Sequence, residues 1–228
     1  MLQNFTLLIM VKPMQDYHEY LKILTAICHG FGDYKKRRDV LNYLHKKNYN
    51  IYFLQDTHFT KDEEKIILSQ WGYKGIFNSY QSNSRGVAIL FRNNFEFQLK
   101  NTVIDNEGNF IIAEIIIEKK LFTLINVYGP NEDRPHFYCN LFKKLETLSN
   151  ENIIMAGDFN LVMDQKLYTM NYKNLNNPKA RMELIQLMEN ENLCDIFRFL
   201  NPDKMKYTWR KKKPLKNLDW IISSYQNP

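Results

Sequence analysis

Cysteine is scarce. Cys28, Cys139 and Cys194 are odd in number and far apart, which argues against a disulfide framework or a zinc ribbon and points to a reducing, intracellular setting. No apolar run is long enough to span a bilayer, and the patch from Phe5 to Met10 is short for a secretory signal, so no membrane partner is expected. Residues 1–20 precede the first recognisable strand and are read as an extension with no assignable role. Repeats and linker-like stretches are also lacking, so residues 21–228 are expected to form a single domain. Acidic residues are missing from one place in particular: between Lys204 and Lys216 stand seven basic residues and no acidic one. Setting those seven aside from the 31 Lys and Arg leaves 24 against 25 Asp and Glu, so the net charge of +6 resides in this segment. With Tyr207 and Trp209 interleaved, Arg210, Lys211, Lys212 and Lys213 have the composition of a nucleic-acid contact, where cations displace phosphate counterions and aromatic faces meet bases or sugars. The alternative is a solvated, lysine-rich hairpin loop.

What is present suits one large α/β domain: 228 residues, 44% of them hydrophobic and 14% aromatic. Leu21 to Cys28 and Asn50 to Leu54 read as buried strands, separated by a basic helix over Tyr34 to Lys47 with Val40, Leu41 and Leu44 on one face. Thr60 with Glu63 is a capping-box signature for a helix through about Trp71, followed by strands near Gly75 to Asn78 and Gly86 to Phe91. From Thr102 to Tyr128 the pattern is apolar and β-branched, with Asn106-Glu107-Gly108-Asn109 and Lys119-Lys120 as the turns of an antiparallel meander. Phe137, Leu141, Leu145 and Leu148 mark one further helical stripe, and Arg181, Ile185 and Met188 another, on a helix from Lys179 to Asn190. Helices and mixed strands in this order predict a two-sheet α/β sandwich with outer helices.

The stretch Met155-Ala156-Gly157-Asp158-Phe159-Asn160 carries the most specific chemical signal. Asn152 to Ala156 reads as a buried strand, and Gly157 lets the backbone turn so that Asp158 and Asn160 project from its carboxyl end, where open α/β sheets hold ligands. A strand-ending Asp also commonly caps the next helix. Three more motifs accompany it in order: Leu54-Gln55-Asp56-Thr57-His58, Asn126-Val127-Tyr128-Gly129-Pro130-Asn131 and Leu218-Asp219-Trp220-Ile221-Ile222-Ser223. Together they resemble the L-Q-E-T-H, N-V-Y-x-P-N, G-D-F-N and R-x-D-Y elements of the endonuclease/exonuclease/phosphatase superfamily. Within it, Asp-Thr-His-Phe, Tyr-Gly-Pro-Asn and Thr208-Trp209-Arg210 are most similar to the endonuclease domains of non-LTR retrotransposons.

The resemblance implies a DNase I-like sandwich and hydrolysis of phosphodiester bonds in DNA. It implies that Asp56 holds Mg²⁺, or Mn²⁺ in its place, and that Asp158 orients or deprotonates the attacking water. It further implies that Asn160 steadies the phosphate, that Tyr128 lies near the scissile phosphate and that Asn131 adds a polar contact. Structural alternatives stand beside these roles: Asp56 as a turn cap, Tyr128 as a core aromatic and Asn131 as a turn former beside Pro130. A reverse transcriptase domain and a nuclear location are implied for the parent element.

Departures from the family pattern are equally specific. Ile27 stands where related endonucleases carry a metal-shell asparagine, and an apolar side chain can neither coordinate nor hydrogen-bond; His29, two residues on, reads as a loop histidine. Asn217 replaces the arginine before Asp219. The family pattern ends in a further strand and an S-D-H triplet whose histidine pairs with the aspartate matched by Asp219, and no histidine follows His136. The expectation is therefore a sandwich without its last strand, an unpaired apolar edge at Leu218 to Ser223, and residual or absent activity. A nucleic-acid-binding relict is the competing reading, and a phospholipid or inositol phosphate hydrolase a more distant third.

Overall fold

The computed structural model describes residues 3–11, 21–148, 152–164, 167, 169–170, 177–205, 209–210, 215–216 and 219–224, without the side chains of 3–11, 170, 209–210, 215–216, 219–221 and 224. The first half of the chain builds one sheet. In chain order it runs β1 (Gln3–Val11), β2 (Leu21–Ile27), α1 (Tyr34–Lys47), β3 (Ile51–Gln55), a 3₁₀ turn (Lys61–Glu63), α2 (Glu64–Trp71), β4 (Gly75–Asn78) and β5 (Val87–Phe91). The strand order is β1-β2-β3-β5-β4, with β2 and β3 parallel. The segment before Leu21, to which the sequence assigns no element, thus supplies β1, antiparallel to β2.

The second half builds the other sheet. It begins with the expected meander of β6 (Gln98–Ile104), β7 (Phe110–Ile117) and β8 (Lys120–Tyr128). Then follow α3 (Pro135–Glu146), β9 (Ile153–Asp158), β10 (Thr169–Met170), α4 (Pro178–Asn190), β11 (Leu193–Asp195), α5 (Ile196–Leu200), β12 (Trp209–Arg210), β13 (Leu215–Lys216) and β14 (Asp219–Ser224). Its order is β11-β14-β9-β8-β7-β6, with β8 and β9 parallel, while β10, β13 and β12 form a small separate sheet. The expected open edge at Leu218 to Ser223 is corrected here: β14 lies between β9 and β11, paired on both sides, because the three residues Leu193–Asp195 add an outer strand.

The two sheets face each other because their strands are apolar on both faces, so alternate residues feed separate cores. Ile51 and Phe53 enter the core between the sheets, where they meet Ile111, Leu124, Ile154 and Ala156. Tyr52 and Leu54 turn the other way, against Val40, Leu41 and Leu44 of α1 and Ile67 and Trp71 of α2. On the far side Ile125, Met155 and Phe159 pack under α3 and α4. The buried stripe of α4 is Ala180, Leu184 and Met188 rather than Arg181, Ile185 and Met188. Arg181 instead spends its guanidinium on the Met163 carbonyl. No helix among the described residues is long and apolar enough to cross a membrane, and the three cysteines are unpaired.

One polar bridge crosses the inter-sheet core beneath the rim. The Gln55 side chain donates to Asn126 Oδ1 at 2.6 Å and to Thr25 Oγ1 at 3.0 Å, while Asn126 Nδ2 donates to the carbonyls of Leu54 and Ala88 at 3.0 and 2.9 Å. All three side chains are buried, so every group depends on these partners. Asn126→Leu is expected to cost about 3 kcal/mol, since it removes one buried partner from the Gln55 amide and one from each of the Leu54 and Ala88 carbonyls. Urea denaturation measures it, and a loss below about 1 kcal/mol would mean that water takes over the orphaned groups.

Candidate active site

The parallel pairs β2/β3 and β8/β9 bring their carboxyl ends to one rim of the sandwich. Past Gln55 the chain enters the left-handed region at Asp56 and again at His58, with φ of 53° and 56°. It is pinned there from both sides. Gly30 and Phe31 donate to the carbonyls of Asp56 and Thr57, and Thr57 and His58 donate to those of Gly86 and Arg85. The Asp56 carboxylate, 9% exposed by residue, is held by two imidazoles: His58 Nε2 lies 2.8 Å from Oδ1 and His29 Nδ1 3.3 Å from Oδ2. His29 is therefore not a bystander in a loop. Its own left-handed turn, φ 48°, carries the ring back to Asp56.

Tyr128 ends β8 opposite Asp158, which ends β9. The phenol's pKa is driven well above its usual 10.0, first by burial, then by the charges of Asp56 and Asp158; Arg85 opposes the shift. Asp158 is buried, and its Oδ1 accepts from the Asn160 backbone N–H at 2.9 Å. Asn160, left-handed at φ 52°, sends its Nδ2 to the Gly129 carbonyl at 2.7 Å. Around this turn Tyr138 donates to the Phe159 carbonyl at 2.6 Å, and Asn177 donates to the carbonyls of Asn131 and Asn160. Gly157 does not end the strand as a turn. It lies within β9 with φ 148°, where an added Cβ would sit 1.9 Å from the Val127 carbonyl oxygen. The close approach of β8 and β9 is what requires glycine.

Asp56, Tyr128 and Asn131 line one cavity of about 200 Å³ with His58, Arg85, Glu107, Asn109 and Arg134. Asp158 adjoins it through Tyr128, and Asn160 braces the floor. Asp219 lies opposite Asp158 in the β14/β9 register. Trp209 and Arg210 form β12 of the small sheet, with side chains outside the description, and Lys211, Lys212 and Lys213 lie outside the described residues altogether. Sequence reasoning quoted Gln55, His58 and Asn126 inside motifs without giving them roles, and it passed over Arg85 and Asn177.

A family profile described as Endonuclease/Exonuclease/phosphatase family matches residues 28–226. The chain belongs to the endonuclease/exonuclease/phosphatase family. It is 29% identical over 196 residues to the transposon TX1 uncharacterized 149 kDa protein of Xenopus laevis, a match that spans 83% of this chain and 14% of that protein. Among solved structures it resembles the AP endonuclease of Leishmania major, with TM-score 0.72 and 17% identity over 89% of this chain and 78% of the other. It also resembles the endonuclease domain of TRAS1, a telomere-specific non-LTR retrotransposon, with TM-score 0.64 and 12% identity over 89% and 83%. At those identities the solved structures establish the fold.

Nucleases of this family generally use divalent metals, and the donor set here defines how one could be held. Among the described residues no group of three or more His, Cys, Asp and Glu is arranged as a metal cage. Ile27, buried at the end of β2, offers no donor. What remains is the Asp56 carboxylate, which fits a hydrated ion anchored by a single carboxylate and otherwise by water, the ordinary manner of binding magnesium.

Burial of phenols gives this fold an alkaline limit. Tyr52, Tyr128 and Tyr138 all have raised pKa values, burial being the largest cause in each. They keep their protons in the folded chain where the unfolded chain begins to lose them, near 10.0. The stability they contribute is fully present below that pH and is lost as pH rises toward the raised folded values. Urea denaturation at about pH 9 and about pH 11 should show the decline, and equal stability at both would contradict it.

Proposed function

We propose that this family member is a Mg²⁺-dependent phosphodiesterase that nicks DNA, of the type carried by non-LTR retrotransposons. The observation that carries the reading is the placement of Tyr128 between two carboxylates, Asp56 and Asp158, where the carboxyl ends of both sheets converge. Asp158 serves as the base that holds and deprotonates the attacking water. Tyr128, kept protonated, donates to a phosphate oxygen. Asp56 would hold the Mg²⁺, for which Mn²⁺ could substitute, and the bound ion would supply positive charge beside the phosphate. Asn160 fixes the Asp158 turn, while Asn131 at the rim and Trp209, Arg210, Lys211, Lys212 and Lys213 meet the DNA. The likeness to the TX1 protein supports a transposon lineage. A reverse transcriptase partner and a nuclear location in the parent element are further parts of this proposal.

A second reading, a chain that binds DNA without cutting it, is favoured by Ile27, a buried apolar side chain at the end of β2 beside Gln55 that offers a metal no donor. Supercoiled plasmid nicking with Mg²⁺, beside an EDTA control, separates the two. Metal-dependent nicking supports the nuclease, and a folded chain that binds but never nicks supports the relict.

A further inference from the structure

A site for a phosphodiester needs a cation that meets the phosphate directly, and the rim of the cavity presents one. Arg85 precedes β5 with φ 58°, and its guanidinium stacks 5.1 Å above the Tyr80 ring. Its Nη1 donates to Glu107 Oε2 at 2.6 Å and reaches the Glu107 carbonyl at 3.5 Å. Among the described residues its Nε and Nη2 have no protein partner. That free pair is the edge of the guanidinium whose parallel N–H groups match two oxygens of a phosphate.

The support beneath Arg85 is built rather than incidental. The Gly86 N–H donates to the Gly108 carbonyl at 3.0 Å, so the turn after β4 is clasped to the turn after β6. The second turn is fixed by Asp105, whose carboxylate accepts from the backbone N–H groups of Glu107, Asn109 and Phe110. Glu107 therefore stands at a set place, and Arg85 with it. The other arginine lining the cavity, Arg134, is half exposed and pairs within its own loop with Glu132. Arg85 is the less exposed of the two, at 31% of its side chain, and its charge reaches the Tyr128 phenol.

We propose that Arg85 is the phosphate-binding residue of this site, taking the scissile phosphodiester on its Nε–Nη2 edge while Tyr80 and Glu107 hold the guanidinium in place. The inference rests on the phosphodiesterase reading and adds a contact to it. It also assigns Glu107 an opposing effect, since a carboxylate beside the bound phosphate repels it. The test is fluorescence anisotropy with a fluorescein-labelled DNA duplex in EDTA, followed by cleavage with Mg²⁺, for the wild type, Arg85→Ala, Arg85→Lys and Glu107→Gln. Arg85→Ala should weaken binding about ten-fold or more and lower the slope of log K against log salt by about 0.9. Arg85→Lys should restore the slope but not kcat, since an ammonium lacks the two-pronged edge. Glu107→Gln should tighten binding at low salt. A folded Arg85→Ala with wild-type affinity and slope overturns the proposal, as does an Arg85→Lys with wild-type kcat. If the wild type cuts DNA and the Arg85 variants match it, this inference fails and the nuclease reading stands. If the wild type binds with an Arg85-dependent slope yet never cuts, the nuclease reading fails and Arg85 remains as a phosphate contact without a scissile bond. A chain that neither binds nor cuts overturns both.

Discussion

Asp158→Asn is expected to lower the rate of plasmid nicking by about 10³-fold, within the range that a positioned general base contributes. The change is nearly isosteric, and the new Oδ1 can still accept from the Asn160 N–H, so the turn that bears it survives. What disappears is the negative charge that the proposed mechanism uses to take a proton from water and that also helps to hold Tyr128 protonated. Single-turnover nicking with Mg²⁺, alongside the melting temperature of the variant, separates the two effects. A variant that melts like the parent and nicks a hundred-fold or more slowly supports the base role. One that nicks at the parent rate removes Asp158 from the chemistry and moves attention to Asp56.

Gly157→Ala is expected to be the most disruptive single methyl in the chain. The Cβ would meet the Val127 carbonyl oxygen at 1.9 Å, and its three nearest atoms all belong to the Val127 backbone on the neighbouring parallel strand, so no side chain can swing away. Relief requires β8 and β9 to separate, at a cost of about 3 kcal/mol or more. Gly72 is the natural control. It too has positive φ, 77°, but an added Cβ there would meet nothing within 4 Å. Gly72→Ala should cost only the left-handed penalty of about 1–2 kcal/mol. Urea denaturation of the two variants side by side decides the matter, and equal losses would show that φ rather than the approach of Val127 governs Gly157.

The sandwich was legible in the sequence because its strands are apolar on both faces. Stretches such as Ile51 to Leu54 and Ile153 to Ala156 announce themselves as short continuous runs, and the meander turns at Gly108 and Lys119 fall where expected. Elements whose existence depends on a partner were not legible. Leu193–Asp195 is too short to show any periodicity, and it becomes a strand only by pairing with β14. Two of the three α4 stripe positions were misplaced by one residue, Ala180 and Leu184 being buried where Arg181 and Ile185 were expected, while Arg181 bonds the Met163 carbonyl. In the site, Asp56, Tyr128, Asp158 and Asn160 could be named because they sit inside motifs at strand ends. His29, read as a loop histidine, and Arg85, passed over, lie outside those motifs, so no local pattern pointed to their contacts with Asp56 and Glu107.

The strands of one sheet all come from residues 3–91 and those of the other from residues 98–224. Each half of the chain closes its own sheet and covers its own outer face, yet Asp56 belongs to the first half and Tyr128 and Asp158 to the second. On the proposed assignment, neither half holds the reacting groups alone. In refolding, secondary structure can return to each half independently, whereas catalysis waits for contacts distant in sequence, the slowest kind to form. For the proposed nuclease, the return of nicking would therefore time the docking of the two halves.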